Sequence, residues 1–106
     1  MEICLLDSIV KDFAHLLKKE LKDNLKNFFL FGSRARGDFH EGSDYDFLIV
    51  LAYKDSLIVE QIRKLEVKLL SQFDVLLASI IYDENEWKKR ENMPIAINIR
   101  KEGISI

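Results

Sequence analysis

The chain alternates amphipathic segments with short, continuous apolar runs. From Leu6 to Leu21, apolar residues recur at a spacing of three and four, which predicts a first helix over about residues 8–24. The same spacing after Ser56 predicts a second long helix with Ser56 as its N-cap. Five apolar residues of this helix are expected to face inward and five charged residues outward: Ile58, Ile62, Leu65, Leu69 and Leu70, against Glu60, Arg63, Lys64, Glu66 and Lys68.

The apolar runs are too short for free-standing helices and predict buried strands. They cover residues 27–31, 47–51 and 72–78. The second run is apolar at every position, as in a strand that is covered on both faces. The third run contains a single carboxylate, Asp74, and a buried unpaired carboxylate needs a physical reason.

The remaining segments complete a small α/β pattern. Residues 83–90 predict a polar third helix with Trp87 packed inward. Pro94 suits the first turn of a last short helix and Gly103 its end, and residues 104–106 form either a terminal strand or a loose end. The order of these elements predicts a single α/β domain over residues 1–106, with a small mixed β-sheet packed by helices.

Composition excludes several classes of function. The net charge of −2 leaves no large basic excess, so we expect no extended nucleic-acid groove. No segment reaches the roughly 18 apolar residues of a membrane span, so we expect no membrane partner. The first residues lack a basic region followed by a cleavage pattern, which favours a cytoplasmic protein.

The chemistry begins at a turn after the first predicted strand. Gly32 ends that strand, and Ser33 occupies a good N-cap position for a short helix whose first backbone N–H groups would face an anion. Arg36 lies three residues after Ser33, so a helical turn returns it to the same side, within reach of a second or third phosphate. Arg34 is expected to be solvated or directed toward a partner, and His40 to be a solvated loop residue.

Two carboxylates stand at the entrance of the second predicted strand. Asp44 and Asp46 are two residues apart, so in a strand their side chains point to the same face. Two like charges at such a short distance repel each other, and a divalent cation such as Mg²⁺ bound between them relieves the repulsion. If the third strand lies beside the first two, Asp74 completes a cluster of three carboxylates, which can hold two metal ions.

These residues resemble a known signature. Gly32-Ser33, ten intervening residues and Asp44-Tyr45-Asp46 are similar to the signature of the polymerase-β-type nucleotidyltransferase superfamily, and residues 32–37 resemble its minimal nucleotidyltransferase branch. The resemblance implies that Asp44, Asp46 and Asp74 are the catalytic and metal-binding residues, with Mg²⁺ or Mn²⁺ as cofactor. It also implies that Gly32, Ser33 and Arg36 bind the triphosphate of the substrate, ATP.

The resemblance also implies a partner. Minimal nucleotidyltransferases are commonly paired with a HEPN-domain ribonuclease, act as its antitoxin and transfer AMP to it, so a hydroxyl of such a partner is the expected acceptor. Two alternatives remain open. In the first, the chain is a non-catalytic nucleotide-binding module that neutralises a partner by covering it. In the second, it is an aminoglycoside-type nucleotidyltransferase of small molecules. In the second alternative, another copy of the chain would form the acceptor pocket in a homo-oligomer.

Overall fold

The structure, a computed structural model, describes residues 8–38, 40 and 44–106 and contains a four-stranded mixed sheet with helices on both faces. The strands are β1 (Leu25–Phe31), β2 (Tyr45–Leu51), β3 (Leu77–Asp83) and β4 (Ile104–Ser105), and the helices are α1 (Ser8–Leu21), α2 (Ser33–Arg36), α3 (Ser56–Phe73), α4 (Glu84–Lys89) and α5 (Pro94–Glu102). A 3₁₀ turn, Lys22–Asn24, joins α1 to β1. The predicted α/β class with a mixed sheet is confirmed.

The sheet has the strand order β3-β2-β1-β4. β1 runs antiparallel to β2 and to β4, whereas β2 and β3 are parallel. A parallel pair needs a long crossover connection, and α3 is that connection. In the β1–β2 ladder Phe31 lies opposite Asp46, and in the β2–β3 ladder Asp46 lies opposite Ala78. The end of β1 and the starts of β2 and β3 therefore meet at one end of the sheet.

The core lies mainly between the sheet and the layer formed by α1 and α3. Phe13 of α1, Phe28 of β1 and Phe47 of β2 form an aromatic cluster with ring centroids 5.0 to 5.7 Å apart. β2 is fully buried from Phe47 to Leu51, as its continuous apolar sequence predicts, because helices cover both faces of the sheet. Trp87 is partly buried against the opposite face, so its predicted inward packing is confirmed.

The predicted strand over residues 72–78 is wrong. Gln72 and Phe73 still belong to α3, because the helical spacing of apolar residues continues from Leu69 to Phe73. Asp74 is the C-cap of α3, with a left-handed φ of 55°, and its backbone N–H donates to the carbonyl of Leu70 at 2.8 Å. The strand begins only at Leu77. Asp74 therefore precedes β3 and is not one of its residues.

Details of α3 also differ from the sequence-based expectation. The N-cap is Asp55, whose carboxylate accepts from the N–H of Ile58 at 2.9 Å, and Ser56 is the first helical residue. Leu70, expected to face inward, is exposed.

Glu66, expected to be solvated, is buried. The Nη1 of Arg63 donates to both carboxylate oxygens of Glu66, at 3.0 and 3.2 Å, and to the carbonyl of Ser79 at 3.0 Å. A buried carboxylate is tolerated here because an arginine pairs with it.

The C-terminal segment is tied to the sheet. α5 begins at Pro94 and ends before Gly103, as predicted. Residues 104–106 are not a loose end. Ile104 and Ser105 form the terminal strand, in which Ile104 pairs with Leu30 of β1, and the N–H of Ile106 donates to the carbonyl of Phe28. Within the described part of the chain, no helix combines the length and the apolar character that crossing a membrane requires.

A capping box fixes the start of α4. The side chain of Asp83 accepts from the N–H of Glu86 at 2.7 Å, and the side chain of Glu86 accepts from the N–H of Asp83 at 3.0 Å. Lys54 also contacts the Glu86 carboxylate, with Nζ 2.6 Å from Oε1. The hydrogen bond from Lys54, followed by the one from the Asp83 backbone, lowers the pKa of Glu86 below its usual range.

This pairing predicts a pH-dependent contribution to stability. Because the folded-state pKa of Glu86 is lowered, the contribution is complete above the unfolded-state pKa of about 4.3 and is lost as pH falls through the folded-state value. Glu86→Gln keeps an acceptor for the capping box and removes the charge. We expect it to lower the free energy of unfolding by about 0.5 kcal/mol at pH 7, a value discounted for solvent screening, and by less at pH 3.

Urea unfolding of both proteins at the two pH values measures the difference, with Glu84→Gln in the first turn of the same helix as the control. An equal difference at pH 7 and pH 3 would contradict the assignment of the stabilisation to the Glu86 charge.

Candidate active site

The residues singled out in the sequence meet at one end of the sheet. Gly32 follows β1 directly, Asp44 immediately precedes β2, and Asp46 is the second residue of β2. Since Phe31 lies opposite Asp46 in the ladder, Gly32 comes beside the Asp46 side chain. Asp46 is half-buried and Asp44 is exposed, so the carboxylate pair lies where the covered sheet opens to solvent.

The contact between Gly32 and Asp46 requires glycine. A β-carbon built on Gly32 would lie 2.4 Å from Oδ2 of Asp46, far inside van der Waals contact. The backbone of Gly32, with φ 75° and ψ −159°, also lies in a region that residues with a side chain rarely adopt. The missing side chain therefore leaves the space that the Asp46 carboxylate occupies.

The short helix α2 starts one residue earlier than predicted. Gly32 is its N-cap and Ser33 its first helical residue, because the positive φ of Gly32 turns the chain at once after the strand. The carbonyl of Gly32 accepts from the N–H groups of Ala35 and Arg36, each at 3.1 Å. Gly37, with φ 87°, caps the other end and donates its N–H to the carbonyl of Ser33 at 2.9 Å.

Electrostatics couple the two carboxylates. Burial, and next the charge of Asp44, raise the pKa of Asp46 above its usual range, while the charge of Arg36 opposes this shift. A divalent cation between the carboxylates would favour their charged forms, as oxygen ligands for Mg²⁺ or Mn²⁺ do. Two neighbouring carboxylates at the open end of the sheet are therefore a donor set that suits a divalent cation.

Arg36 stands at the edge of the site and is held by two carboxylates. Its Nε donates to Oδ2 of Asp38 at 3.1 Å, and its Nη1 donates to Oε2 of Glu102 at 3.3 Å. Neither acid is among the site residues that the sequence predicts. Asp38 lies two residues along the chain, whereas Glu102 is 66 residues away and no local sequence pattern indicates it.

Arg34 is half-buried against a ring of its own chain rather than fully solvated, and a contact with a partner stays a prediction. Its guanidinium carbon lies 4.2 Å from the centroid of the Tyr45 ring, a cation–π contact. Tyr45 is buried and separates Asp44 from Asp46 in the sequence. Arg34 therefore ties α2 to the strand that carries the carboxylates. His40 is exposed, as expected.

Asp74 is not gathered with the other two carboxylates. It caps α3 and is exposed, three residues before Leu77, which pairs with Tyr45 at the start of β2. Among residues 8–38, 40 and 44–106, no three Asp, Glu, His or Cys side chains lie close enough to share a metal ion. The structure brings Asp44 and Asp46 together with Gly32, and the role of Asp74 stays a prediction.

Comparison with known proteins identifies the class. Residues 10–104 match the family described as the nucleotidyltransferase domain, so the chain belongs to that family. A relative from Methanocaldococcus jannaschii, whose name proposes a protein adenylyltransferase, is 33% identical over 97 residues, which are 92% of this chain and 93% of the relative. The chain is thus a nucleotidyltransferase by class, and the expectation of an enzyme is confirmed.

Solved structures share the fold. A proposed nucleotidyltransferase from Sulfolobus solfataricus, known from a crystal structure, is 26% identical to this chain and superposes with a TM-score of 0.54. The aligned region covers 92% of this chain and 75% of that protein's chain. A chain of a toxin–antitoxin crystallised with AMP-PNP is 20% identical and has a TM-score of 0.58. The aligned region covers 90% of this chain and 70% of that chain. The expected nucleotidyltransferase family is confirmed by the family match, and these structures share the fold.

Two glycines with positive φ provide a matched test of the Gly32–Asp46 contact. A β-carbon on Gly32 meets the Asp46 carboxylate, whereas a β-carbon on Gly37 meets nothing within 4 Å. We expect Gly32→Ala and Gly37→Ala each to lower the free energy of unfolding by about 1–3 kcal/mol through backbone strain. Only Gly32→Ala should also weaken binding of Mg²⁺–ATP, by about tenfold or more, because the Asp46 carboxylate is displaced.

Denaturant unfolding and calorimetric titration with Mg²⁺–ATP measure the two effects separately. If both variants lost the same nucleotide affinity, the contact between Gly32 and Asp46 would have no special role in binding.

Proposed function

We propose that the chain transfers AMP from ATP to a hydroxyl group of a partner protein, and that the partner is a HEPN-type ribonuclease which the chain neutralises as an antitoxin. The observation that carries the proposal is the Asp46 carboxylate seated against Gly32, beside Asp44 and at the open end of the sheet. Membership of the nucleotidyltransferase family supports the reaction class. Beyond the reaction class, we propose the identities of the metal, the nucleotide, the acceptor and the partner.

The carboxylate pair is the proposed metal site. Asp44 and Asp46 would hold Mg²⁺ or Mn²⁺, with the shell completed by phosphate oxygens of the nucleotide and by water. When bound, the cation supplies charge neutralisation for the phosphates and a lower pKa for a coordinated hydroxyl. The carboxylate of Asp46 contributes most when it is ionised, because only the charged form offers both oxygens as ligands.

The turn after β1 is the proposed triphosphate site. Gly32 turns the chain sharply after β1 beside the Asp46 carboxylate, and the backbone N–H groups at the start of α2 are the proposed first donors to the phosphates. The hydroxyl of Ser33 is a further donor, and the guanidinium of Arg36 provides charge-assisted hydrogen bonds to the outer phosphates. The three residues thus hold the nucleotide with its α-phosphate near the carboxylates.

The proposed reaction is an in-line displacement. The acceptor oxygen forms a bond to the α-phosphorus, the bond from that phosphorus to the bridging oxygen breaks, and pyrophosphate leaves with the electron pair. The acceptor proton passes to a carboxylate, for which Asp74 is our candidate. Asp74 is exposed and precedes the strand that runs parallel to β2, so it lies toward the same end of the sheet as Asp44.

Two comparisons support the proposals that the acceptor is a protein and that the chain acts as an antitoxin. The Methanocaldococcus jannaschii relative is named as a proposed adenylyltransferase of proteins, which matches AMP transfer to a protein. The toxin–antitoxin that shares the fold was crystallised with AMP-PNP, an ATP analogue, which matches both the nucleotide and the antitoxin role.

One observation favours a second function. Asp74 is exposed as a helix cap, and the described residues contain no three-carboxylate cluster. A protein that binds the nucleotide through Asp44 and Asp46 and neutralises its partner by covering it would not need Asp74. This binding module is the alternative that a transfer assay separates from the enzyme.

The first test concerns metal and nucleotide binding. Mg²⁺ should bind weakly alone and more tightly with ATP, and Asp44→Asn/Asp46→Asn should abolish the metal-dependent part of ATP binding, because the paired charges are removed. Calorimetry with and without Mg²⁺ measures this. Asp23→Asn is the control, since Asp23 is exposed in the 3₁₀ turn before β1, at the other end of that strand from Gly32. Equal metal-dependent binding by the wild type and the double variant would contradict the metal site.

The second test concerns transfer. The chain is incubated with labelled ATP and the product of the neighbouring gene, the candidate partner, and both proteins are analysed by mass spectrometry. Asp74→Asn preserves the left-handed cap, which asparagine also adopts. We expect this variant to bind Mg²⁺–ATP within about tenfold of the wild type. Its transfer rate should fall at least about a hundredfold, roughly 2.7 kcal/mol of barrier.

Transfer by Asp74→Asn at the wild-type rate would remove Asp74 from the mechanism. A wild type that modifies nothing, yet protects against its partner as well as Asp74→Asn does, would replace the enzyme by the binding module.

A further inference from the structure

Glu102, outside the sequence signature, contacts the arginine that we assign to the triphosphate. Its Oε2 lies 3.3 Å from Nη1 of Arg36, and the second carboxylate on this guanidinium is that of Asp38, 3.1 Å from Nε. The Arg36 side chain is 43% exposed and that of Glu102 is 38% exposed, whereas that of Asp38 is 62% exposed. Of the two acids, Glu102 is the more sheltered partner.

The backbone around Glu102 is closely tied to the sheet. α5 is anchored by the buried residues Ala96 and Ile99 and ends at Glu102. The N–H of Gly103 donates to the carbonyl of Ile99 at 2.7 Å, and a β-carbon on Gly103 would lie 2.3 Å from the same oxygen. The next residue, Ile104, pairs with Leu30, two residues before Gly32. The strand that leads into the phosphate turn therefore also fixes the end of α5.

The guanidinium has room for a ligand beside these contacts. A cavity of about 200 Å³ separates α2 from α5 and is lined by Phe31, Gly32, Arg36, Ile95, Asn98 and Glu102. A guanidinium carries five N–H donors in a planar fork, and its contacts to Asp38 and Glu102 involve two of its three nitrogens. Phosphate oxygens can therefore reach the same group without displacing either carboxylate.

We propose that Glu102 is a positioning residue of the nucleotide site, which holds the guanidinium of Arg36 in the orientation that receives the triphosphate. The inference rests on the proposed function, since it presumes that nucleotide binds at the Gly32 turn. An unrestrained arginine loses rotamer freedom when it binds a ligand. An arginine already held by Glu102 has lost part of that freedom beforehand, so binding costs less.

A double-mutant cycle tests whether Glu102 acts through Arg36. Mg²⁺–AMP-PNP is titrated calorimetrically into the wild type, Glu102→Ala, Arg36→Ala and the double variant. We expect Glu102→Ala to weaken binding by about fivefold to tenfold in the wild-type background, as loss of a charge-assisted contact does. In the Arg36→Ala background the same change should alter affinity by less than about twofold, because the residue through which it acts is gone.

Two further variants separate positioning from a general effect on the helix. Glu102→Gln keeps an oxygen that accepts from Nη1 and should bind within about twofold to threefold of the wild type. Lys101→Ala, an exposed change in the last turn of the same helix, should leave affinity unchanged.

Equal losses from Glu102→Ala in the two backgrounds would overturn the proposal, since Glu102 would then act independently of Arg36. Tighter binding by Glu102→Ala would also overturn it and identify Glu102 as a competitor of the phosphates. A wild type that binds Mg²⁺–AMP-PNP while Glu102→Ala binds it equally well would refute this inference alone. A wild type that binds no nucleotide would refute the proposed function itself.

Discussion

The antiparallel pairing of β1 with β2 is the interaction on which the site depends. It places Phe31 opposite Asp46, so that the residue after β1 lies beside a carboxylate of β2. Strand side chains alternate between faces, so a slip of one residue would move Asp46 to the face that packs on α1 and α3 and take Phe47 out of that core. Phe47 is fully buried in the aromatic cluster with Phe13 and Phe28, and this packing prevents such a slip. The hydrophobic core thus determines the geometry of a polar site at its edge.

The sequence alone predicted the features that are encoded locally. The apolar runs that became β1 and β2, the amphipathic α1, the glycine turn and the proximity of Asp44 to Asp46 all follow from spacing within a few residues. The boundary between α3 and β3 could not be predicted in this way. Residues 72–78 are apolar enough for either element, and the left-handed cap at Asp74 decides between them.

Long-range contacts account for the other differences. The sequence pattern predicts that Glu66 is solvated, yet Glu66 is buried. Its burial is possible because Arg63, which also donates to the carbonyl of Ser79, pairs with its carboxylate. Glu102 meets Arg36 only because α5 and β4 fold back onto β1, 66 residues after the turn. A single sequence carries no signal for either contact, because both depend on how distant elements pack.

The tight seat of Asp46 against Gly32 has a consequence for how such sequences can change over time. The two positions are mutually restrictive, since the carboxylate fills the volume in which any larger residue at position 32 would place its β-carbon. A lineage that no longer uses the carboxylate could shorten the side chain at position 46 first and only then accept a side chain at position 32. A relative that lacks the acid but keeps the glycine would therefore have lost the activity recently. A relative that lacks both residues would have lost it long ago.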